Sequence, residues 1–418
     1  MKKFLSFLLT AATAFALLFG CVGVSFCDGN TVVYAEESST DYQSDLAYVL
    51  TKQFCEQFPS RSDQENEFAV ANFLNEQFSS VEGVSSSIQG GVNVTVSDGK
   101  YQTANVIAKI DTSSNEVIVV GAHFDNIGTA DGAADNACGI AALYMLMMRL
   151  APLRTQLPFD VWFVAFGGEE QGLYGSKHFV DNLTDEELSS VLLMINFDCI
   201  ANGDELYLQC ENKRTDLEDL FVSKSSGKAS TLNRKPYASG VLSFLDIYGY
   251  GYYEATQGSD HTSFRLKGVP TAFFYAGAYG STLSGYTESA NEDKCISNTA
   301  QDSFANLDKL NGKEFVNRIN TVVDTIVDTM LSPEFVAVAQ NARSQLVNLW
   351  AVFGVLPSIV LLVLAVAVLY CAYAYRRKVI ADSKVGMAQA KPRAKIFVSP
   401  DAESIFTFTD DNGSSDNG

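Results

Sequence analysis

Three apolar runs, each closed by an acid or a histidine, constrain this chain more than any other feature: V-I-V-V-G-A-H-F-D, F-D-V-W-F-V-A-F-G-G-E-E-Q-G and V-L-L-M-I-N-F-D. Runs that are apolar throughout, rather than at alternate positions, read as strands covered on both faces, as in a parallel sheet layered by helices. Open sheets of that kind place their ligand sites beyond the carboxyl ends of the strands. Those ends carry His123 and Asp125, Glu169 and Glu170, and Asp198. One acid after one strand is ordinarily a solvated loop residue or a helix cap. Three strands that each deliver an acid or a histidine at that end form the pattern of a metal site. The adjacent carboxylates at 169 and 170 suit a division of labour in which one binds metal and the other moves a proton. Asp135, in the turn A-D-G-A-A-D-N-A-C-G, adds a further carboxylate. Two of the three histidines, His123 and His261, lie within two residues of an aspartate.

The remaining pattern alternates helix with strand. Helical spacing marks 41–58 and 63–79, strands are expected at 104–110 and 117–122, and a helix rich in Ala, Leu and Met at about 136–150. A strand at 159–166, a helix at 172–182, a strand at 191–197, a helix at 216–225 and a strand at 269–274 follow, with a last amphipathic helix at 312–330. The expected fold is therefore α/β, a mostly parallel central sheet with helices on both faces. Residues 237–253, rich in Tyr and Gly, read as an irregular loop before His261.

Two hydrophobic segments flank this domain, which is expected to span 36–340. The first, within residues 1–35, reads as an export signal with a small-residue cleavage site at Val33-Tyr34-Ala35; a lipoprotein-type site ending at Cys21, or an uncleaved anchor, are the alternatives. The second, 349–375, holds no charged residue and exceeds the roughly 20 residues needed to cross a bilayer. Arg376, Arg377 and Lys378 follow at once, which by the positive-inside rule puts the tail 376–418 in the cytosol and the domain outside the cell. The tail is expected to be largely disordered. A formal net charge of −20 argues against nucleic acid as a partner. Cys55, Cys138, Cys199, Cys210 and Cys295 are too irregularly spaced to define a disulfide framework.

The pieces A-H-F-D, G-A-A-D-N-A-C-G, G-E-E-Q-G-L-Y-G-S, N-F-D and S-D-H-T-S-F-R-L-K-G-V-P, taken in order, resemble the zinc aminopeptidases with two co-catalytic metals, whose relatives include glutamate carboxypeptidase-like enzymes and glutaminyl cyclases. The resemblance covers roughly 40–330 and implies a zinc exopeptidase fold. It implies that His123 and Asp198 bind one zinc, Glu170 the second, and that Asp135 bridges both. Asp125 would orient His123 from behind, and Glu169 would be the general base. The Asp135–Asn136 peptide is expected to be cis. One position departs from the pattern: in S-N-T-A-Q-D-S-F-A-N, Asn298 stands where the family has its last histidine ligand, and an amide oxygen is a poor zinc donor beside imidazole. His261 and Asp260 are candidate substitutes or supporting residues outside the ligand sphere, with Cys138 a further candidate. Cys199, next to Asp198 in an extended segment, is expected to point away, and His178 to lie on a helix surface.

These readings amount to a membrane-anchored extracellular exopeptidase acting on peptides, with two zinc sites, one of them weakened. The competing reading is a catalytically impaired ectodomain of the same fold used as a binding module or scaffold.

Overall fold

The computed structural model describes residues 42–96, 99–210, 215–234, 258–277, 279–282, 285–288 and 294–389. The expected export signal, the aromatic loop at 237–253 and the tail beyond 389 lie outside the described residues. Up to residue 346 the chain forms one unit, and residues from 347 onward form a second.

The first unit opens with helices α1 (Leu46–Gln57) and α2 (Gln64–Ser79). Asp45 and Asp63 cap them, each side chain accepting an amide from the first turn, as the preference for aspartate at that position predicts. Strands β1 (Ser85–Val96) and β2 (Gly99–Ile110) form an antiparallel pair and lead to β3 (Val117–His123). Helix α3 (Cys138–Leu150), β4 (Asp160–Phe166), α4 (Tyr174–Asp181), α5 (Asp185–Ser190) and β5 (Val191–Phe197) continue the alternation. Then come β6 (Glu205–Cys210), α6 (Thr215–Lys224), β7 (Leu232–Arg234), α7 (His261–Leu266) and β8 (Thr271–Gly277). A small hairpin, β9 (Tyr279–Thr282) with β10 (Gly285–Glu288), precedes α8 (Phe304–Asn311), α9 (Lys313–Met330) and α10 (Phe335–Gln389).

Eight strands make one sheet in the order β1-β2-β4-β3-β5-β8-β6-β7. Its centre, β4-β3-β5-β8, is parallel, as the apolar runs predict. The flanks are not: β1 with β2, β2 with β4 and β6 with β8 run antiparallel, so the sheet is mixed rather than mostly parallel. Two of the antiparallel strands, β1 and β6, were not expected, and β2, which was, runs against β4 rather than with it. Ser85–Val96 is an edge strand with one watery face and a register shift between Gln89 and Val92 across Gly90 and Gly91, so it lacks the apolar density that marks a central strand.

Alternate side chains of the central strands feed two cores. Ile118 and Val120 join the larger one under α1, α2, α3, α6 and α9; Val117 and Val119 join a smaller one with Phe179 of α4 and Phe264 of α7. Each fully buried side chain of this size contributes about 1.5–3 kcal/mol. The stretch Ala133–Gln156 is long and apolar enough to cross a membrane, yet it is 78% buried inside the domain, so it is a core helix.

Helix α10 begins in the first unit, where Phe335, Ala339 and Ala342 are buried. The described part of the second unit is its continuation to Gln389, so 376–389 is helical where disorder was expected. Between Leu361 and Ile380 its large apolar side chains are 46–72% exposed.

Candidate metal centre

His123 ends β3, and Asp198 follows the last residue of β5, its parallel neighbour, so the register brings the two side by side. On the other flank of β3, β4 ends at Phe166 and the glycines 167 and 168 turn the chain before Glu169 and Glu170. Gly168 has φ +68, a left-handed conformation that suits glycine, and a Cβ there would meet Val94 at 2.9 Å. Asp135 arrives from a wide turn, Ala133–Ala137, in which Asp135 and Asn136 leave helical geometry and the peptide between them is cis, as expected.

Three of the expected ligands converge. His123 Nε2 lies 3.1 Å from Asp135 Oδ1 and 3.4 Å from Asp198 Oδ1, and the three donor atoms all fall within 4.8 Å of one another. One imidazole and two carboxylates are a donor set that suits zinc and related divalent ions. The electrostatics call for a cation as well. Burial pushes the carboxyl of Asp135 up, with Asp198 adding to the effect, and burial together with Asp135 pushes Glu170 up to about 9. Burial likewise holds Glu169 well above the carboxylate range against the opposing pull of His123. His123 is the counterpart: burial would lower it, but Glu169 and Asp198 hold it well above its ordinary value. So much negative charge around one imidazole is what a divalent ion neutralises.

The supporting bonds differ from expectation in one respect. Asp125 Oδ1 lies 3.6 Å from His123 Nδ1, an ionic contact, and the nearer partner of that nitrogen is the Asp125 carbonyl at 3.2 Å. The Asp125 carboxylate instead accepts the backbone amides of Glu169 and Glu170, both at 3.0 Å. It therefore ties the two neighbouring strand ends together rather than serving His123 alone.

The other candidates divide. Asp260 is fully buried, and burial pushes its carboxyl up to about 7; its charge also reaches Glu169. His261 is buried with its ring stacked on Phe273 at 4.3 Å, outside the converging donor group. Asn298 is exposed and left-handed at φ 58. The Cys138 thiol donates to the Ala134 carbonyl at 3.0 Å. Cys199 corrects the expectation: φ 54 turns the chain there, and its buried thiol sits near enough to Asp198 and Asp135 to lower the proton affinity of both instead of pointing away. Burial keeps that thiol protonated. His178 is half-buried on α4.

Two supports gave no clear signal in the sequence. Asp302 accepts the amides of Ala134 at 2.8 Å and Asp135 at 3.0 Å, while its carbonyl accepts that of Gly132. Arg61 is fully buried and donates to the carbonyls of Phe58, Phe124, Asp131 and Gly132. Both hold the segment between β3 and α3.

A doubly layered sheet with a His/Asp/Asp donor group beyond its parallel strands defines an α/β protein with a candidate metal site. Residues 105–323, just over half of the chain, match the sequence profile of Peptidase family M28, and the chain belongs to that family. Among curated relatives, aminopeptidase YwaD of Bacillus subtilis is 29% identical over 184 residues, which is 42% of this chain and 36% of that protein. The probable lipoprotein aminopeptidase LpqL of Mycobacterium tuberculosis is 27% identical over 190 residues, 45% of this chain and 37% of the relative. The matched part thus spans little more than a third of these relatives' length. In fold, the chain is similar to a zinc aminopeptidase from Bacillus subtilis (TM-score 0.51, 15% identity, 69% of this chain and 95% of the other) and to a glutaminyl cyclase from an Acidobacteriales bacterium (0.51, 19%, 72% and 98%).

Proposed function

We propose that this chain is a membrane-anchored, extracellular, zinc-dependent aminopeptidase. The observation that carries the reading is the convergence of His123, Asp135 and Asp198 beside the turn bearing Glu169 and Glu170. In this reading His123 and Asp198 would hold one zinc and Glu170 a second, with Asp135 available to both. Zinc, when bound, polarises the scissile carbonyl and acidifies water. Glu169 takes the proton of the attacking water and returns it to the leaving amine; burial makes its carboxylate a stronger proton acceptor than a solvated one. Asp125 fixes the turn that presents Glu169, and Asp302 fixes the turn that presents Asp135.

Asn298 supports a qualification, in which the second zinc lacks an imidazole from its segment and binds more weakly than the first. It also supports the scaffold reading. Zinc counting on the full-length chain, combined with an aminoacyl reporter and its amino-terminally blocked counterpart, separates the two. Cleavage of the free reporter alone, lost with zinc and regained on its return, is the expected result. A zinc-loaded chain that cleaves neither would leave the scaffold.

Anchoring is supported by the exposed apolar side chains from Leu361 to Ile380 and by the basic residues that interrupt them at 376–378. Protease added to intact cells should remove the domain and spare an epitope placed after residue 378. Digestion of that epitope on unbroken cells rules the topology out.

A further inference from the structure

Two buried carboxyl groups flank the G-G-E-E turn. Asp125 accepts the amides of Glu169 and Glu170, both at 3.0 Å, and the Gly168 amide, one residue earlier, draws down the proton affinity of Glu67. Glu67 stands on α2, fully buried. Its other contacts run to β2: Thr103 Oγ1 donates to Oε2 at 2.5 Å, and the Tyr101 hydroxyl lies 2.7 Å from Oε1. The same hydroxyl lies 2.9 Å from Oε1 of Gln171, the residue after the acid pair.

A phenol has one proton and cannot donate to both oxygens. Both contacts are satisfied when Glu67 is the neutral acid, donating to Tyr101 while Tyr101 donates to Gln171. Burial, with the charge of Asp125 adding to it, pushes the Glu67 carboxyl up to about 8, in keeping with that arrangement. The turn also lies directly on β2. A Cβ at Gly167 would fall 2.5 Å from Thr103 Oγ1 and 2.7 Å from the Ala104 carbonyl, so little slack exists between the strand and the turn.

We propose that Glu67 is a positioning residue for the turn carrying Glu169 and Glu170, a hydrogen-bond hub that joins α2 to β2 through Thr103 and Tyr101 and, through Tyr101, to the Gln171 side chain. This rests on the reading of Glu169 as the base. An apolar side chain would serve a merely structural purpose better, because a buried carboxyl group loses its hydration. Acting through geometry, Glu67 needs its acceptor and donor atoms rather than its charge.

The test uses the full-length chain and an aminoacyl reporter with a free amino terminus. Glu67→Leu, which keeps bulk and removes the hub, should lower kcat per bound zinc at least about tenfold with KM unchanged, since a misplacement of about 1 Å costs on the order of 100-fold. Glu67→Gln keeps an acceptor and a donor and should restore most of that loss. A purely structural lesion would instead lower the yield of zinc-loaded chain and leave turnover per zinc intact. Amide hydrogen exchange on the metal-free chain gives a second reading: Glu67→Leu, or Tyr101→Phe where the former does not fold, should speed exchange at 167–172 and leave 117–123 and 191–197 unchanged. Unaltered turnover per zinc in Glu67→Leu, or unaltered exchange at 167–172, overturns the proposal. Full activity of Glu169→Gln would sink the base assignment instead, and the exchange result would stand apart from it.

Discussion

At the scale of single residues, the proposed mechanism divides binding and chemistry between the adjacent acids. Glu169→Gln removes a proton acceptor while sparing His123, Asp135 and Asp198, so hydrolysis of an aminoacyl reporter should fall by about 10²–10⁴ with zinc content unchanged by metal analysis. Normal turnover in this variant would take Glu169 out of the mechanism. Asn298 makes a different case. Its backbone is left-handed, which asparagine tolerates better than most residues, and its side chain is exposed. In the proposed reading with a weakened second site, Asn298→His should raise affinity for a second zinc and increase activity at limiting zinc, since imidazole is far the better donor. A natural chain that already binds two zinc ions tightly would show that another group fills the place. Cys199 teaches caution about extended segments: one positive φ sends a thiol toward the aspartates it was expected to avoid.

At the scale of elements, the segment between β3 and α3 depends on groups far away in sequence. Arg61 gives its guanidinium to four carbonyls, two of them at Asp131 and Gly132, next to the turn that carries Asp135. Arg61→Leu leaves those acceptors buried and unpaired, so unfolding by denaturant should show a loss of about 3 kcal/mol, and zinc affinity should fall with it. A variant as stable as the natural chain would mean that other donors replace the guanidinium. What the sequence made legible follows the same division. The central strands, their ligands and the helix after Asp135 were readable because burial on both faces leaves an unbroken apolar run. The edge strand Ser85–Val96 was not, since its residues answer to water on one side. Glu67, Arg61 and Asp302 escaped because each acts through backbone groups, which carry no side-chain signature.

At the scale of the whole molecule, the site is a concentration of acid that folding must tolerate. Burial raises the carboxyls of Glu67 to about 8, Glu170 to about 9 and Asp302 to about 7. A carboxyl raised in the folded chain holds its proton more tightly there than in the unfolded one. The folded state therefore gains most at acidic pH, and the gain is lost as pH climbs from the unfolded value near about 4 through the folded one. Metal-free chain should accordingly melt at a lower temperature at pH 9 than at pH 5. Zinc at 100 times its Kd should add about 2.7 kcal/mol, seen as a rise in Tm of several degrees. A metal-free Tm that climbs with pH, or ignores zinc, contradicts this account. The clasp between Asp302 and the amides of Ala134 and Asp135 bears on timing. A chain emerging from its ribosome carries His123, Asp135, Glu169 and Asp198 long before it carries residue 302, so the metal turn stays unfastened until nearly the whole domain has been made.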